Sequence, residues 1–100
     1  MALQLAQTAK SQLPDVAEVN DTLGWIYQKK GLSALAIAPL QQSVAKDPNN
    51  ASYHYHLGAA YASQGDKAKA RQSLERALTL NSLDQRDRAD ASRLLASQKG

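Results

Sequence analysis

Apolar residues fall three and four apart along most of this chain, the spacing that lines one face of an α-helix. Leu5, Ala6, Ala9 and Leu13 mark a first helix over residues 2–12. Leu13-Pro14-Asp15 stops it, because the residue before a proline is pushed out of the helical region. Val19, Leu23, Ile26 and Tyr27 stripe a second helix over residues 16–30. Gly31 supplies a tight turn, and Ser33 is the expected N-cap of a third helix over 33–46, with Ala36, Leu40, Ser43 and Val44 facing inward. After the turn Asp47-Pro48-Asn49-Asn50, the stripe resumes as Tyr53, Leu57, Ala60 and Tyr61 over 51–64. Gly65 turns the chain, Asp66 is placed to cap a fifth helix over 67–80, and Ala70, Leu74, Ala77 and Leu78 form its inner face. A sixth helix over 84–97 is more polar and keeps Ala91, Leu94 and Leu95 on one side.

The pattern repeats with a shift of 34 residues: Leu23, Gly24, Tyr27, Gly31, Ala36 and Leu40 return as Leu57, Gly58, Tyr61, Gly65, Ala70 and Leu74. Pro14 anticipates Pro48 at the same interval, and Ser82 stands where the next proline would fall. A fixed period of this length is one supersecondary unit stacked on copies of itself. Such a stack presents a long concave surface rather than an enclosed catalytic pocket. Pro39 interrupts the third helix by removing a bond to the carbonyl of Leu35. Two readings follow: a kink tolerated on the convex side, or a bend that tunes the curvature of the stack.

These residues carry a resemblance. The segment 17–50, AEVNDTLGWIYQKKGLSALAIAPLQQSVAKDPNN, is similar to one full tetratricopeptide repeat (TPR), and 51–84, ASYHYHLGAAYASQGDKAKARQSLERALTLNSLD, to a second. Residues 2–16 resemble the second helix of a preceding partial repeat, and 85–98 the polar helix that caps such arrays. The resemblance implies an all-α fold, a single TPR domain over residues 1–100 built as a right-handed solenoid of six helices. Asn20 and His54 stand where the family often has Trp, Trp25 is displaced from that place, and Ser43 replaces a usual Ala. The phrases DTLGWIYQKKG and YHYHLGAAYASQGDKAKARQSLERAL also resemble bacterial TPR proteins of exopolysaccharide and protein-sorting systems. Opening on half a repeat leads to the expectation of a C-terminal piece of a longer array, with residues 2–13 able to self-associate weakly.

Composition narrows the rest. The chain has no Cys, which removes disulfides, thiolate metal sites and Cys nucleophiles. No apolar run reaches the roughly 18–20 residues that cross a bilayer, and the N-terminus has no signal-peptide pattern. Bacterial cytoplasm and periplasm fit equally. The net charge of +3 resides in residues 51–100. On the fifth helix Lys67, Lys69, Arg71 and Arg76 form a basic patch, read mainly as a solvated face with an Arg71–Glu75 pair, and alternatively as a weak contact for an anionic polymer.

In the TPR family the first helix of each repeat lines the concave groove. Carried over, this places Glu18, Asp21, Thr22, Trp25, Gln28 and Lys29 on the surface that meets a partner, with Ser52, Tyr55, His56, Ala59 and Ser63 from the next repeat. Trp25 is either the groove's anchor or ordinary core. Arrays that grip a peptide carboxylate use cations at these places; here Asp21 would repel one. His54 and His56 point about 200° apart on a helix and cannot share an ion, so no metal is expected. No phosphate-binding glycine loop or nucleophile elbow suggests a cofactor or an enzyme. The expectation is a non-enzymatic scaffold for a protein or peptide of unknown identity, with nucleic acid and membrane insertion set aside. A structural spacer of a larger envelope or exopolysaccharide system is the alternative.

Overall fold

A computed structural model describes residues 2–98. Six helices follow one another: α1 (Ala2–Gln12), α2 (Ala17–Lys29), α3 (Ser33–Lys46), α4 (Ala51–Gln64), α5 (Lys67–Thr79) and α6 (Gln85–Ser97). Each packs on its neighbour in sequence, and α2, α4 and α6 also touch in series. The result is elongated, 40 × 25 × 21 Å. The expected helices all form. The second is shorter than expected at both ends, the fifth stops at Thr79, and the sixth starts at Gln85 because Asp84 is its cap.

The turns inside the two complete hairpins are copies. Gly31 and Gly65 adopt φ of 78° and 79°, a left-handed conformation that costs other residues a clash at Cβ. Leu32 N–H then donates to the Tyr27 carbonyl and Asp66 N–H to the Tyr61 carbonyl, the long bond of a Schellman closure. Asp66 caps α5 through the Lys69 N–H, as expected, and Asn50 and Asp84 cap α4 and α6 through Tyr53 and Asp87. Ser33 is not a cap. Leu32 occupies that place without a side-chain bond, and Ser33 lies inside the helix, buried, donating to Gln28 Oε1 at 2.8 Å.

Packing within each hairpin turns on one glycine and one leucine. A Cβ on Gly24 would lie 2.5 Å from Leu40 Cγ, and one on Gly58 would lie 2.7 Å from Leu74 Cγ. Leu40 and Leu74 are wholly buried. Alanines 36, 60, 70, 77 and 91 fill the remaining contacts with no exposed surface. Helix α4 has neighbours on both sides and is buried almost all round, including Tyr55 and Ala59. Pro39 corrects the convex-side reading: α3 runs unbroken through it, and the ring is buried.

The turns between hairpins are held by a polar device that also repeats. Asn20 Nδ2 donates to the Pro14 carbonyl at 3.0 Å, and His54 Nε2 to the Pro48 carbonyl at 2.7 Å. Arg88, one more period along, donates to the Leu80 carbonyl. A carbonyl has no proton to give, so Nε2 of His54 carries it. The places where the family often has Trp are thus occupied by donors that tie each hairpin to the turn before it. Gln7 and Gln41 repeat likewise, donating to the Tyr27 and Tyr61 hydroxyls.

Candidate functional site

The first helices of successive hairpins, α2 and α4, lie side by side with α6 beyond them. Residues at intervals of three and four on each therefore meet across the two seams. At the α2–α4 seam the Trp25 indole stacks on the His56 ring, centroids 4.0 Å apart and planes 19° apart. Tyr55 is tilted against both rings. His56 Nδ1 donates to Asp21 Oδ1 at 2.7 Å. On the other side the Tyr55 hydroxyl donates to Asp90 Oδ2, and Asp90 also pairs with Arg93. Asp21, His56, Trp25, Tyr55 and Asp90 thus form one connected row across three helices.

Charge responds to this arrangement. The Tyr55 hydroxyl, with Arg93 adding to it, holds the Asp90 carboxyl below its ordinary value. Burial, then the bond to Asp90, pushes the Tyr55 phenol well above the ordinary range. Asp87 is pushed up by burial and by Asp84, against the pull of His56. Tyr53 is raised by burial and then by Asp21.

Of the eleven residues expected in the groove, the structure joins Asp21, Trp25, Tyr55 and His56 in the row just described. Gln28, Ala59 and Ser63 form a second cluster, where Gln28 Nε2 donates to Ser63 Oγ at 2.7 Å and reaches the Ala59 carbonyl at 3.4 Å. Lys29 holds its ammonium 5.5 Å from the Trp25 ring. Ser52 is half-buried in the first turn of α4. Glu18 and Thr22 are exposed and face the other way, bordering an apolar trough of about 350 Å³ between α1 and α2 with Leu5, Val19 and Ile26. Tyr55 and Ala59 are buried and leave no surface for a ligand. Trp25 is neither pure anchor nor pure core: it is half-buried, packed against the core on one side.

The contribution of α6 was missed by sequence reasoning. A signal existed: the 34-residue shift carries Thr22 to His56 and then to Asp90, and Trp25 to Ala59 and then to Arg93. Reading α6 only as a cap hid that register. The two histidines take separate partners, Pro48 and Asp21. Among the described residues no group of three His, Cys, Asp or Glu side chains converges as for a metal ion. No described helix is long and apolar enough to cross a membrane. Arg71 and Glu75 make no ion pair among the described residues, so the expected pair on α5 is not present.

Hairpins in tandem, closed by the same turns and stacked through the same positions, define an all-α helical-repeat protein. The chain belongs to the tetratricopeptide repeat family. A "Tetratricopeptide repeat" model matches residues 51–84 and a "TPR repeat" model matches 24–65, together covering most of both complete hairpins. Among curated proteins, the chain is 38% identical over 78 residues to cellulose synthase operon protein C of Escherichia coli strain K12. The corresponding protein of strain O157:H7 matches equally. The match covers 78% of this chain and 7% of the relative, so the chain spans a small part of the length of the proteins it matches. The exopolysaccharide side of the resemblance noted in the sequence is carried by this relative's name.

Proposed function

We propose that this domain is a non-enzymatic scaffold whose α2–α4–α6 face holds a peptide or a helix of a partner protein. The observation that carries this is the row from Asp21 to Asp90. It fixes Trp25 in place by stacking, so the half-exposed indole meets a partner without losing side-chain freedom. Lys29 beside Trp25 and Arg93 beside Asp90 supply positive charge along it. The relative's name points to a cellulose-synthesis assembly as the setting, with the domain covering residues 1–100 as a partial repeat, two full repeats and a capping helix.

The experiment is a partner pull-down from a cellulose-producing bacterium, wild type against Trp25→Ala combined with Lys29→Ala. Both side chains are at least partly exposed, so the fold is retained and circular dichroism verifies it. Loss of a captured protein supports the reading; a variant that retains every partner ends it.

A second reading is favoured by one observation, the trough between α1 and α2. Leu5 at its edge is 71% exposed, and Leu13, just past the end of α1, is 51% exposed. Weak self-association through residues 2–13 covers this surface. Sedimentation that stays monomeric at high concentration, for wild type and Leu5→Gln alike, refutes it.

A further inference from the structure

The faces away from the concave groove carry a pair of related clefts. The 34-residue shift that relates the hairpins also relates a cleft at Lys10, Pro14, Asn20 and Gln42 to a larger one at Val44, Pro48, His54 and Arg76. The two have opposite chemistry.

The first is an acceptor shell filled by the chain's own cation. Lys10 Nζ donates to the Pro14 carbonyl at 2.9 Å and to Asn20 Oδ1 and Gln42 Oε1, each at 2.6 Å. In the second, Val44 stands where Lys10 stood, so no ammonium is held from that position against the Pro48 carbonyl. Arg76 replaces Gln42, which turns an acceptor into a donor, and Lys69 appears where the first unit has Leu35. The cleft of about 600 Å³ is bordered by Lys69, Gln72 and Arg76 on α5 and carries no acidic residue in its lining.

Neither cation there is neutralised. Lys69 lies 5.7 Å from the Tyr61 ring, Arg76 donates to the Asn49 amide oxygen, and neither pairs with a carboxylate among the described residues. The wider field agrees. Helices α1, α3 and α5 carry Lys10, Lys46, Lys67, Lys69, Arg71 and Arg76 against a single acid, Glu75. A donor-rich cleft set in a positive field attracts an anion.

We infer that the cleft between α3 and α5, over His54 and Tyr61 of α4, is a second binding site that takes an acidic, extended peptide segment. Lys69 and Arg76 are seven residues apart on one helical face, which separates them by about 10 Å. A peptide in polyproline II geometry rises about 3.1 Å per residue with three residues per turn, so carboxylates three residues apart match that span. Val44, Leu57 and Pro48 give the cleft an apolar floor for the side chains between them. Tyr61 is buried and its hydroxyl is engaged by Gln41, so the cleft offers no open aromatic face of the kind on which a sugar ring stacks. That favours peptide over anionic polysaccharide.

The test is fluorescence anisotropy with a labelled peptide of repeating Glu-Pro-Ala triplets, using the intact chain at physiological salt. Saturable binding is expected. Lys69→Ala with Arg76→Ala weakens it about tenfold, the scale of two solvent-exposed ion pairs. Lys69→Arg with Arg76→Lys keeps most of it, and Lys67→Ala with Arg71→Ala, equal in charge but off the cleft, changes it less than about twofold. Equal losses from the two alanine pairs overturn the site, because then only net charge matters. So does the absence of saturable binding. Displacement of the peptide by oligogalacturonate at lower concentration, with the same dependence on Lys69 and Arg76, overturns the choice of peptide.

Discussion

Replacing Gly24 with alanine tests whether close helix approach is what holds the hairpin. The new Cβ would fall 2.5 Å from Leu40 Cγ, 2.7 Å from its Cδ2 and 3.2 Å from the Ala36 carbonyl oxygen. None of these neighbours yields easily. Cγ is not the free end of a side chain, Leu40 has no exposed surface to retreat into, and the third atom is backbone. Overpacking of this kind costs about 2–3 kcal/mol. Removing a mid-helix glycine returns about 1 kcal/mol of propensity. The net expectation is a loss of about 1–2 kcal/mol, read by urea denaturation.

The double-mutant cycle separates this clash from other causes. Leu40→Ala alone leaves a cavity and costs about 2–5 kcal/mol. Combined with Gly24→Ala, the new methyl enters that cavity and the overlap disappears. The propensity gain cancels in the cycle, so the double variant is more stable than the sum of the single losses by the overlap, about 2–3 kcal/mol. Additive losses, or a Gly24→Ala protein as stable as wild type, refute the reasoning.

Asn20→Ala is expected to cost about 2–3 kcal/mol, because it strips the buried bond to the Pro14 carbonyl and one oxygen from Lys10, whereas the half-buried His54→Ala costs about 1 kcal/mol; denaturant midpoints compare the two. Tyr55→Phe is expected to lose about 1–2 kcal/mol at neutral pH, since Oδ2 of the Asp90 carboxylate loses its donor while Arg93 still holds Oδ1. Asp90 is held below its ordinary value, so its contribution is present above the unfolded value near 4 and disappears as pH falls through the lower folded value. The gap between wild type and Tyr55→Phe therefore narrows in strongly acidic solution, and a gap independent of pH in urea titrations contradicts the assignment.

Most of the architecture was legible because three signals agreed at every boundary up to α5: apolar spacing, a glycine or proline stop, and recurrence at 34 residues. Where one signal stood alone, the reading slipped. Ser33 has a capping side chain, but the Schellman turn that Gly31 closes carries the chain into α3 through Leu32, and Ser33 lands one residue inside. Pro39 lies in a buried position of α3, so its presence alone did not indicate exposure. Helical spacing identified which faces of α2 and α4 approach each other but not which side chains would be consumed in that approach. Tyr55 and Ala59 were therefore placed on an open surface although α4 is enclosed on both sides.

The polar ties between hairpins were the least legible feature, and the reason is physical. Position 20 is Asn, position 54 is His and position 88 is Arg. All three are polar, but in size, shape and charge they have little in common. What the geometry asks of them is a single N–H directed at a carbonyl in the preceding turn, and all three supply it. The Gly–Leu contact inside each hairpin is different: shape is the requirement, few residues satisfy it, and it recurs letter for letter. A hairpin array of this kind is therefore strict within its units and permissive between them. The permissive positions are also where neighbouring clefts diverge, one closed by Lys10 and one left open beside Val44, so chemistry varies along the stack while the stacking itself is kept.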